Sequence, residues 1–272
     1  MADFETLEFT RDGDIARLRL NRPDRLNAFS IRMWDEMIEL GETVRDDPGI
    51  RALVVSGNGR AFSSGIDTTV FTSGGGLTEP APGTARHDDA AVASILRAQD
   101  SYTWFEEARY PTIAAVHGYA FGAGLQLALA CDIRIFARGT VVGLLEHDYG
   151  ILPDLGGTQR LPRVVGAGKA KELIWTAARI DADESYRIGL CERLVDADAL
   201  EAEAATLASA IAERPPLAVQ GAKRAVAAAF RLPTREGLVV EAEAQAPCLR
   251  SDDMREALTA KLEQRPARFT GR

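Results

Sequence analysis

The stretch of sequence that decides the fold is Val116-His117-Gly118-Tyr119-Ala120-Phe121-Gly122-Ala123-Gly124-Leu125-Gln126. It directly follows the short apolar run 112–116, which is typical of a strand buried on both faces. Gly122-Ala123-Gly124 would open a helix reaching Ala130, and a helix start presents unpaired N–H groups suited to negative charge. Taken alone, the glycines also suit close helix packing. They lack the third glycine and the downstream acid of a dinucleotide-binding fingerprint.

Outward from this stretch, the pattern predicts strands that alternate with helices. Buried strands are indicated at 52–56, 112–116 and 133–137, and half-buried strands at 6–9 and 15–20. Helical spacing predicts one helix that starts after Ser30 and ends near 46–48, and another over roughly 90–107. Such alternation favours right-handed crossovers and the α/β class.

The last part of the chain has a different composition. Beyond Gly189-Leu190 it is rich in Ala, Glu and Arg with helical periodicity, and Pro215-Pro216, Pro233 and Pro247 divide it into about four helices. We therefore predict a core over residues 1–198 and a C-terminal helical segment over residues 199–272.

Composition narrows the classes of function. A net charge of −8 over 272 residues argues against nucleic-acid binding through the overall field. The cysteines, Cys131, Cys191 and Cys248, are far apart and odd in number, which indicates a reduced, cytoplasmic setting. The first nine residues contain no apolar stretch typical of a signal peptide. No apolar run approaches ~20 residues, so we expect no membrane partner.

Two further segments contain candidate chemistry. Residues 59–67 form a small-residue turn after a buried strand, where glycine allows a backbone to approach a ligand closely; the alternative is an ordinary strand-to-helix turn. Residues 144–162 place Glu146 and Asp154 among apolar neighbours, which raises a carboxyl pKa and suits a general base. The alternatives are a surface acid for Glu146 and a helix N-cap for Asp154.

Together, the three segments resemble the enoyl-CoA hydratase/isomerase (crotonase) family. Its patterns are an F-x-x-G-x-D turn, a V-x-G-x-A-x-G-x-G helix start and a G-x-x-P-x-x-G-G-T-Q-x-L-x-R segment. Asn21-Arg22-Pro23 with Leu26-Asn27-Ala28 resembles the family's N-R-P…L-N-A loop, and the likeness spans nearly the whole chain. It implies a crotonase-like ββα spiral core, a C-terminal α-helical trimerisation segment, and a homotrimer or a hexamer built as a dimer of trimers.

The resemblance also implies an acyl-CoA thioester substrate and an oxyanion hole made by the backbone N–H groups of Ile66 and Ala123. Loss of a C2 proton, or addition at C3, places negative charge on the thioester oxygen, which these donors would stabilise. Coenzyme A is then part of the substrate, and no separate cofactor and no metal are expected. The residues expected to bind substrate or CoA are Arg22, Arg25, Leu26, Ala28, Ser64, Gly65, Asp67, Gly122, Gly124 and Pro153. For the two arginines the alternative is an ordinary surface position.

The sequence departs from the family at one expected catalytic position. The family's hydratases carry two glutamates; Glu146 matches the second, whereas Gln126 occupies the first, and an amide cannot exchange a proton at neutral pH. The family's 3,2-enoyl-CoA isomerases keep only the equivalent of Glu146, and its dienoyl-CoA isomerases add an aspartate eight residues later, as at Asp154. We therefore expect isomerisation with Glu146 as base, with Asp154 as second acid or orienting group and Gln126 orienting water or thioester. Hydration of a 2-enoyl-CoA is the alternative.

Other classes fit the residues less well. A serine hydrolase would use Ser63 or Ser64 with His117, but the G-x-S-x-G elbow is missing. Residues 87–89 and Glu146-His147 lack a recognised metal-ligand spacing. A non-catalytic CoA-binding protein stays open because of Gln126. Residues 72–89 are predicted to form a mobile loop that influences which acyl chain is accepted.

Overall fold

The computed structural model describes residues 3–72 and 85–272. The strands of these residues are β1 (Leu7–Asp12), β2 (Ile15–Leu20), β3 (Ala52–Gly57), β4 (Thr112–Val116), β5 (Tyr119–Phe121), β6 (Ile133–Ala137), β7 (Val141–Gly143), β8 (Ile180–Asp181) and β9 (Arg193–Val195). The α-helices are α1 (Ile31–Val44), α2 (Thr69–Thr72), α3 (Ala90–Glu107), α4 (Ala123–Ala130), α5 (Gly157–Val165), α6 (Ala167–Trp175), α7 (Ala182–Arg187), α8 (Leu200–Ala212), α9 (Pro216–Ala228), α10 (Thr234–Arg250) and α11 (Asp252–Leu262).

Within the described part of the chain, the strands form two sheets. The larger has the order β1-β2-β3-β4-β6-β9, with β1 and β2 antiparallel and the other neighbours parallel. The smaller has the order β5-β7-β8. The chain twice leaves the large sheet for the small one, from β4 to β5 and from β6 to β7, and each excursion leads into a helix. This repetition is the ββα spiral expected from the sequence.

The parallel strands are buried on both faces because each face packs against a different core. In β3, Leu53 and Val55 belong to the main core, whereas Ala52 and Val54 face the other side. That second side is covered by α8, whose residues Leu200, Ala204 and Ala208 recur every four positions and so lie on one helix face. The apolar strand runs seen in the sequence follow from this double burial.

The longer strands and helices predicted from the sequence agree with the structure, but shorter elements were missed and one helix boundary was wrong. The strands β5, β7, β8 and β9 contain two or three residues and carry too little pattern, and the helices α2, α6 and α7 were not predicted either. Pro247 does not divide two helices but lies inside α10. The break falls at Ser251, whose extended backbone ends α10 and whose hydroxyl accepts a hydrogen bond from Met254 N at 3.1 Å to cap α11. The loop predicted over 72–89 falls largely on residues 73–84, which lie outside the described residues.

Candidate active site

Two backbone turns are joined by hydrogen bonds to form one wall of the site. Ser63 N donates to Tyr119 O at 2.9 Å, and Phe121 N donates to Ser63 O at 3.0 Å. A Cβ on Gly124 would lie 2.7 Å from Ser63 Cβ, so the start of α4 can approach this turn only with glycine there. The contact brings the segment around Ile66 and the start of α4 to the same cavity.

Each proposed oxyanion donor follows a glycine with positive φ. Gly65 has φ of +105° and precedes Ile66, and Gly122 has φ of +48° and precedes Ala123. These backbone conformations favour glycine. The Ile66 and Ala123 N–H groups donate to no other described residue, and both residues line the cavity. Two unpaired N–H donors on residues that line one cavity can stabilise an oxyanion.

Glu146 is buried at the wall of the same cavity, with 5% of its surface exposed. It is the first residue of the 3-10 turn Glu146–Tyr149. Because the side chain is buried, Glu146 is not a surface acid. Its Oε1 accepts a hydrogen bond from Gln126 Nε2 at 2.8 Å, and its Oε2 is buried without a hydrogen-bond partner among the described residues. Burial raises the pKa of Glu146 from 4.5 to about 7, with a further increase from the charge of Asp154 and an opposing decrease from its hydrogen bonds. A carboxyl with this pKa can exchange a proton near neutral pH.

Gln126 contacts the carboxyl group of Glu146 and is wholly buried. Its Oε1 accepts from Gly157 N, the first residue of α5, at 2.8 Å, while its Nε2 donates to Glu146. Both ends of the amide are therefore bonded to protein, and Gln126 is not among the described residues that line the cavity. This placement does not suit the expected role of holding water or thioester directly.

Asp154 is partly buried, and its side chain does not belong to the described cavity lining. Burial raises its pKa. It is not a helix N-cap, because α5 has Gly156 at that position with no side-chain cap. The neighbouring Pro153 is buried and packs against Gly157, where an added Cβ would lie 3.1 Å from Pro153 Cβ.

Most residues expected to bind CoA are close together in the structure. Arg22 donates to Ala28 O and forms an ion pair with Asp67 at 3.0 Å, and the hydrogen bonds from Thr69 and Arg22 lower the pKa of Asp67. Ser64 N donates to Leu26 O at 2.9 Å, so the loop after β2 and the turn after β3 are joined. The guanidinium of Arg22 is thus occupied by internal partners, whereas Arg25 is exposed.

The cavity has a volume of about 80 Å³, and its lining includes residues that we did not single out in the sequence. These are Thr68, Phe71, Phe121, Leu145, Tyr149 and Ile151. Each lies within five positions of a site residue predicted from the sequence, so closeness along the chain could have identified these residues as cavity lining. The lining is mainly apolar and includes the carboxyl of Glu146, which explains why that group is desolvated.

The structure does not bring the serine and histidine candidates together. Ser63 is wholly buried and its hydroxyl donates to Asn27 O at 2.8 Å, while His117 contacts Gly59 O at 3.0 Å, so no serine–histidine pair forms. Within residues 3–72 and 85–272, no group of three or more His, Cys, Asp and Glu side chains is arranged to hold a metal ion. No helix in the described part of the chain has the length and apolarity needed to cross a membrane.

Comparisons with known proteins agree with this geometry. The family model described as enoyl-CoA hydratase/isomerase matches residues 10–272. The crotonyl-CoA hydratase of Syntrophomonas wolfei is 34% identical over 267 residues, covering 98% of both chains. The peroxisomal Delta(3,5)-Delta(2,4)-dienoyl-CoA isomerase of Arabidopsis thaliana is 33% identical over 273 residues, covering 99% of this chain and 98% of that protein.

Solved structures lead to the same assignment. A Thermobifida fusca protein crystallised in complex with acetoacetyl-CoA superimposes with a TM-score of 0.82 at 38% identity, covering 90% of this chain and 95% of its own. The chain therefore belongs to the enoyl-CoA hydratase/isomerase family and has the crotonase fold expected from its sequence.

Proposed function

We propose that the protein isomerises the double bond of an enoyl-CoA, with Glu146 as the general base and the Ile66 and Ala123 amides as the oxyanion hole. The observation that carries the proposal is the state of Glu146, which lines the same cavity as Ile66 and Ala123 and whose Oε2 is buried without a hydrogen-bond partner among the described residues. A single proton carrier of this kind is sufficient for isomerisation.

The reaction follows from the atoms that are present. With a 3-enoyl-CoA, Glu146 Oε2 would take a proton from C2, and the electron pair would move onto the thioester oxygen between the Ile66 and Ala123 N–H groups. The same carboxyl would return the proton to C4 as the C2=C3 double bond forms. One oxyanion donor is typically worth about 3–4 kcal/mol in the transition state. In this proposal the CoA is part of the substrate, and no other cofactor is needed.

Hydration of a 2-enoyl-CoA is the second candidate, favoured by the likeness to the Syntrophomonas wolfei crotonyl-CoA hydratase. Water addition uses one group to activate water and another to protonate C2. Glu146 supplies one such group. Gln126 cannot supply the other because an amide does not titrate at neutral pH. This asymmetry is why we favour isomerisation.

The test is a comparison of purified enzyme on 3-enoyl-, 3,5-dienoyl- and 2-enoyl-CoA substrates of one chain length. We expect kcat/KM for one of the isomerisations to exceed that for hydration by at least about tenfold, which corresponds to 1.4 kcal/mol between the transition states. Hydration well above both isomerisations would overturn the proposal. Binding of all three esters without turnover would instead indicate a CoA-binding protein.

For the assembly we propose a homotrimer, or a hexamer of two trimers, formed in part by the C-terminal helices. Large apolar side chains are exposed on these helices and on the turn after α9: Val226, Leu238, Val239, Leu258 and Leu262 lie on the helices, and Phe230 lies on the turn. Large exposed apolar patches are typical of interaction surfaces, and these side chains are candidates for one. Light scattering on the purified chain would test it, and a monodisperse monomer would contradict it.

A further inference from the structure

We propose that Gln126 is a positioning residue that ties Glu146 to the first turn of α5 and leaves Oε2 as the oxygen that exchanges protons. The inference rests on Glu146 being the base of the proposed function, but not on which of the family's reactions that base serves. Gln126 thereby has a role in the site, although the family's hydratases carry a glutamate at this position.

The partners of Gln126 fix the direction of its amide. Gly157 N–H can only donate, and an ionised Glu146 carboxylate can only accept. The carbonyl oxygen of Gln126 therefore faces Gly157 and its NH₂ group faces Glu146, both at 2.8 Å. If the amide were flipped, its NH₂ group would face the Gly157 N–H donor and its carbonyl oxygen would face the Glu146 carboxylate, so the orientation with the carbonyl oxygen toward Gly157 is strongly favoured.

The surrounding packing holds the side chain in place. Gln126 is wholly buried, and a Cβ on Gly157 would lie 3.0 Å from its Oε1 and 3.1 Å from its Cγ. A side chain at position 157 would therefore crowd the amide, and glycine lets the backbone of α5 approach it without that contact. This close packing restricts the Gln126 side chain to the position in which it bonds Gly157 and Glu146.

The two hydrogen bonds act in series on Glu146. Gly157 N–H lies at a helix start and has no acceptor within its own helix, and its bond to Gln126 polarises the amide so that the N–H bond to Glu146 is strengthened. Protonation of Oε1 would oppose this donor, whereas protonation of Oε2 leaves it intact. The proton therefore resides on Oε2, the oxygen with no hydrogen-bond partner among the described residues.

Few other groups act on this carboxyl. Gln126 is the only described side chain that hydrogen-bonds it. The charge of Asp154 raises its pKa, and Tyr102 on α3 is close enough to be affected by both acids and by Arg160. On its own turn, His147 and Asp148 are exposed. Removal of the Gln126 donor should therefore have a clear effect on the Glu146 titration.

The experiment measures the protonation of Glu146 by infrared difference spectroscopy, with Glu146→Gln used to assign the carboxyl band. In Gln126→Leu we expect the midpoint to rise by about one to two pH units, the effect of losing one hydrogen bond to a charged group. The acid limb of the kcat/KM profile should rise with it while KM changes little. In the control Gln99→Leu, which removes an amide that bonds Asp154 O at 2.6 Å, the midpoint should not move.

A second variant separates positioning from simple structural support. In Gln126→Glu, a protonated carboxyl can accept from Gly157 with one oxygen and donate to Glu146 with the other. We expect this variant to retain kcat at pH 7 within about tenfold, well above Gln126→Leu, and its two acids to titrate as a coupled pair. A midpoint in Gln126→Leu equal to that of the wild type would overturn the inference. Because the infrared titration needs no turnover, that result would stand apart from a failure of the proposed reaction.

Discussion

The turn that begins with Glu146 and the turn that contains Asp154 are eight residues apart, and burial raises the pKa of both acids. Their surroundings differ. Glu146 lines the cavity and has one oxygen held by Gln126 and the other without a partner among the described residues, whereas Asp154 lies outside the described lining. Desolvation alone therefore does not define a general base; the group must also present a free oxygen to the space where the substrate reacts.

The largest expected effect is the difference in turnover between Glu146→Gln and Asp154→Asn. Glu146→Gln removes the proton carrier while preserving shape, so kcat on the isomerised substrate should fall by about 10²–10⁴-fold, the usual range for a general base. CoA-ester affinity, measured by calorimetry, should change little. Asp154→Asn should cost less than about tenfold, since that side chain does not face the cavity. Equal losses would instead assign Asp154 the role of second acid that the sequence suggested.

The next largest expected effect is on the free energy of unfolding, and it depends on pH. The pKa of Glu146 rises from 4.5 in the unfolded chain to about 7 in the folded one, so the folded state holds the proton more tightly. Its contribution to the free energy of unfolding is fully present below about pH 4.5 and is lost as the pH rises through about 7. The raised pKa corresponds to about 3 kcal/mol at 1.36 kcal/mol per unit.

Glu146→Gln should therefore gain stability over the wild type as the pH rises, approaching about 3 kcal/mol at pH 8. Urea unfolding of both proteins at pH 4.5 and pH 8 measures this difference. Asp154→Asn should show the same direction with a smaller gain, because Asp154 is less buried than Glu146. A gain for Glu146→Gln that is equal at the two pH values would contradict the raised pKa.

The same two acids show how much the sequence can predict. The strands β3, β4 and β6 and the helices α1, α3 and α4 were predicted within a few residues because apolar periodicity and a cap such as Ser30 are local signals. The positive φ of Gly65 and Gly122 could likewise be expected from the sequence, since a glycine beside a site residue indicates a backbone conformation that other residues rarely adopt.

Other features depend on contacts between distant segments. The hydrogen bond from Gly157 to Gln126 joins residues 31 apart, and the cavity brings Glu146 together with the distant Phe71 and Phe121. No local pattern indicates that Arg22 would form an ion pair with Asp67. The division of the chain at 198/199 and the assembly stay predictions, although α8, the first helix beyond that boundary, packs on the large sheet.

The smallest expected effect is the shift in the pH profile caused by Asp154. Its negative charge raises the pKa of Glu146, so Asp154→Asn should lower that pKa and move the acid limb of kcat/KM to lower pH by a fraction of a unit. A matched control is Asp148→Asn on the Glu146 turn, because Asp148 is exposed and lies 3.6 Å from Arg179, where solvent screens its charge. That variant should leave the limb in place. If both variants shift the profile equally, the pKa of Glu146 responds to the overall charge of the turn rather than to its partly buried neighbour.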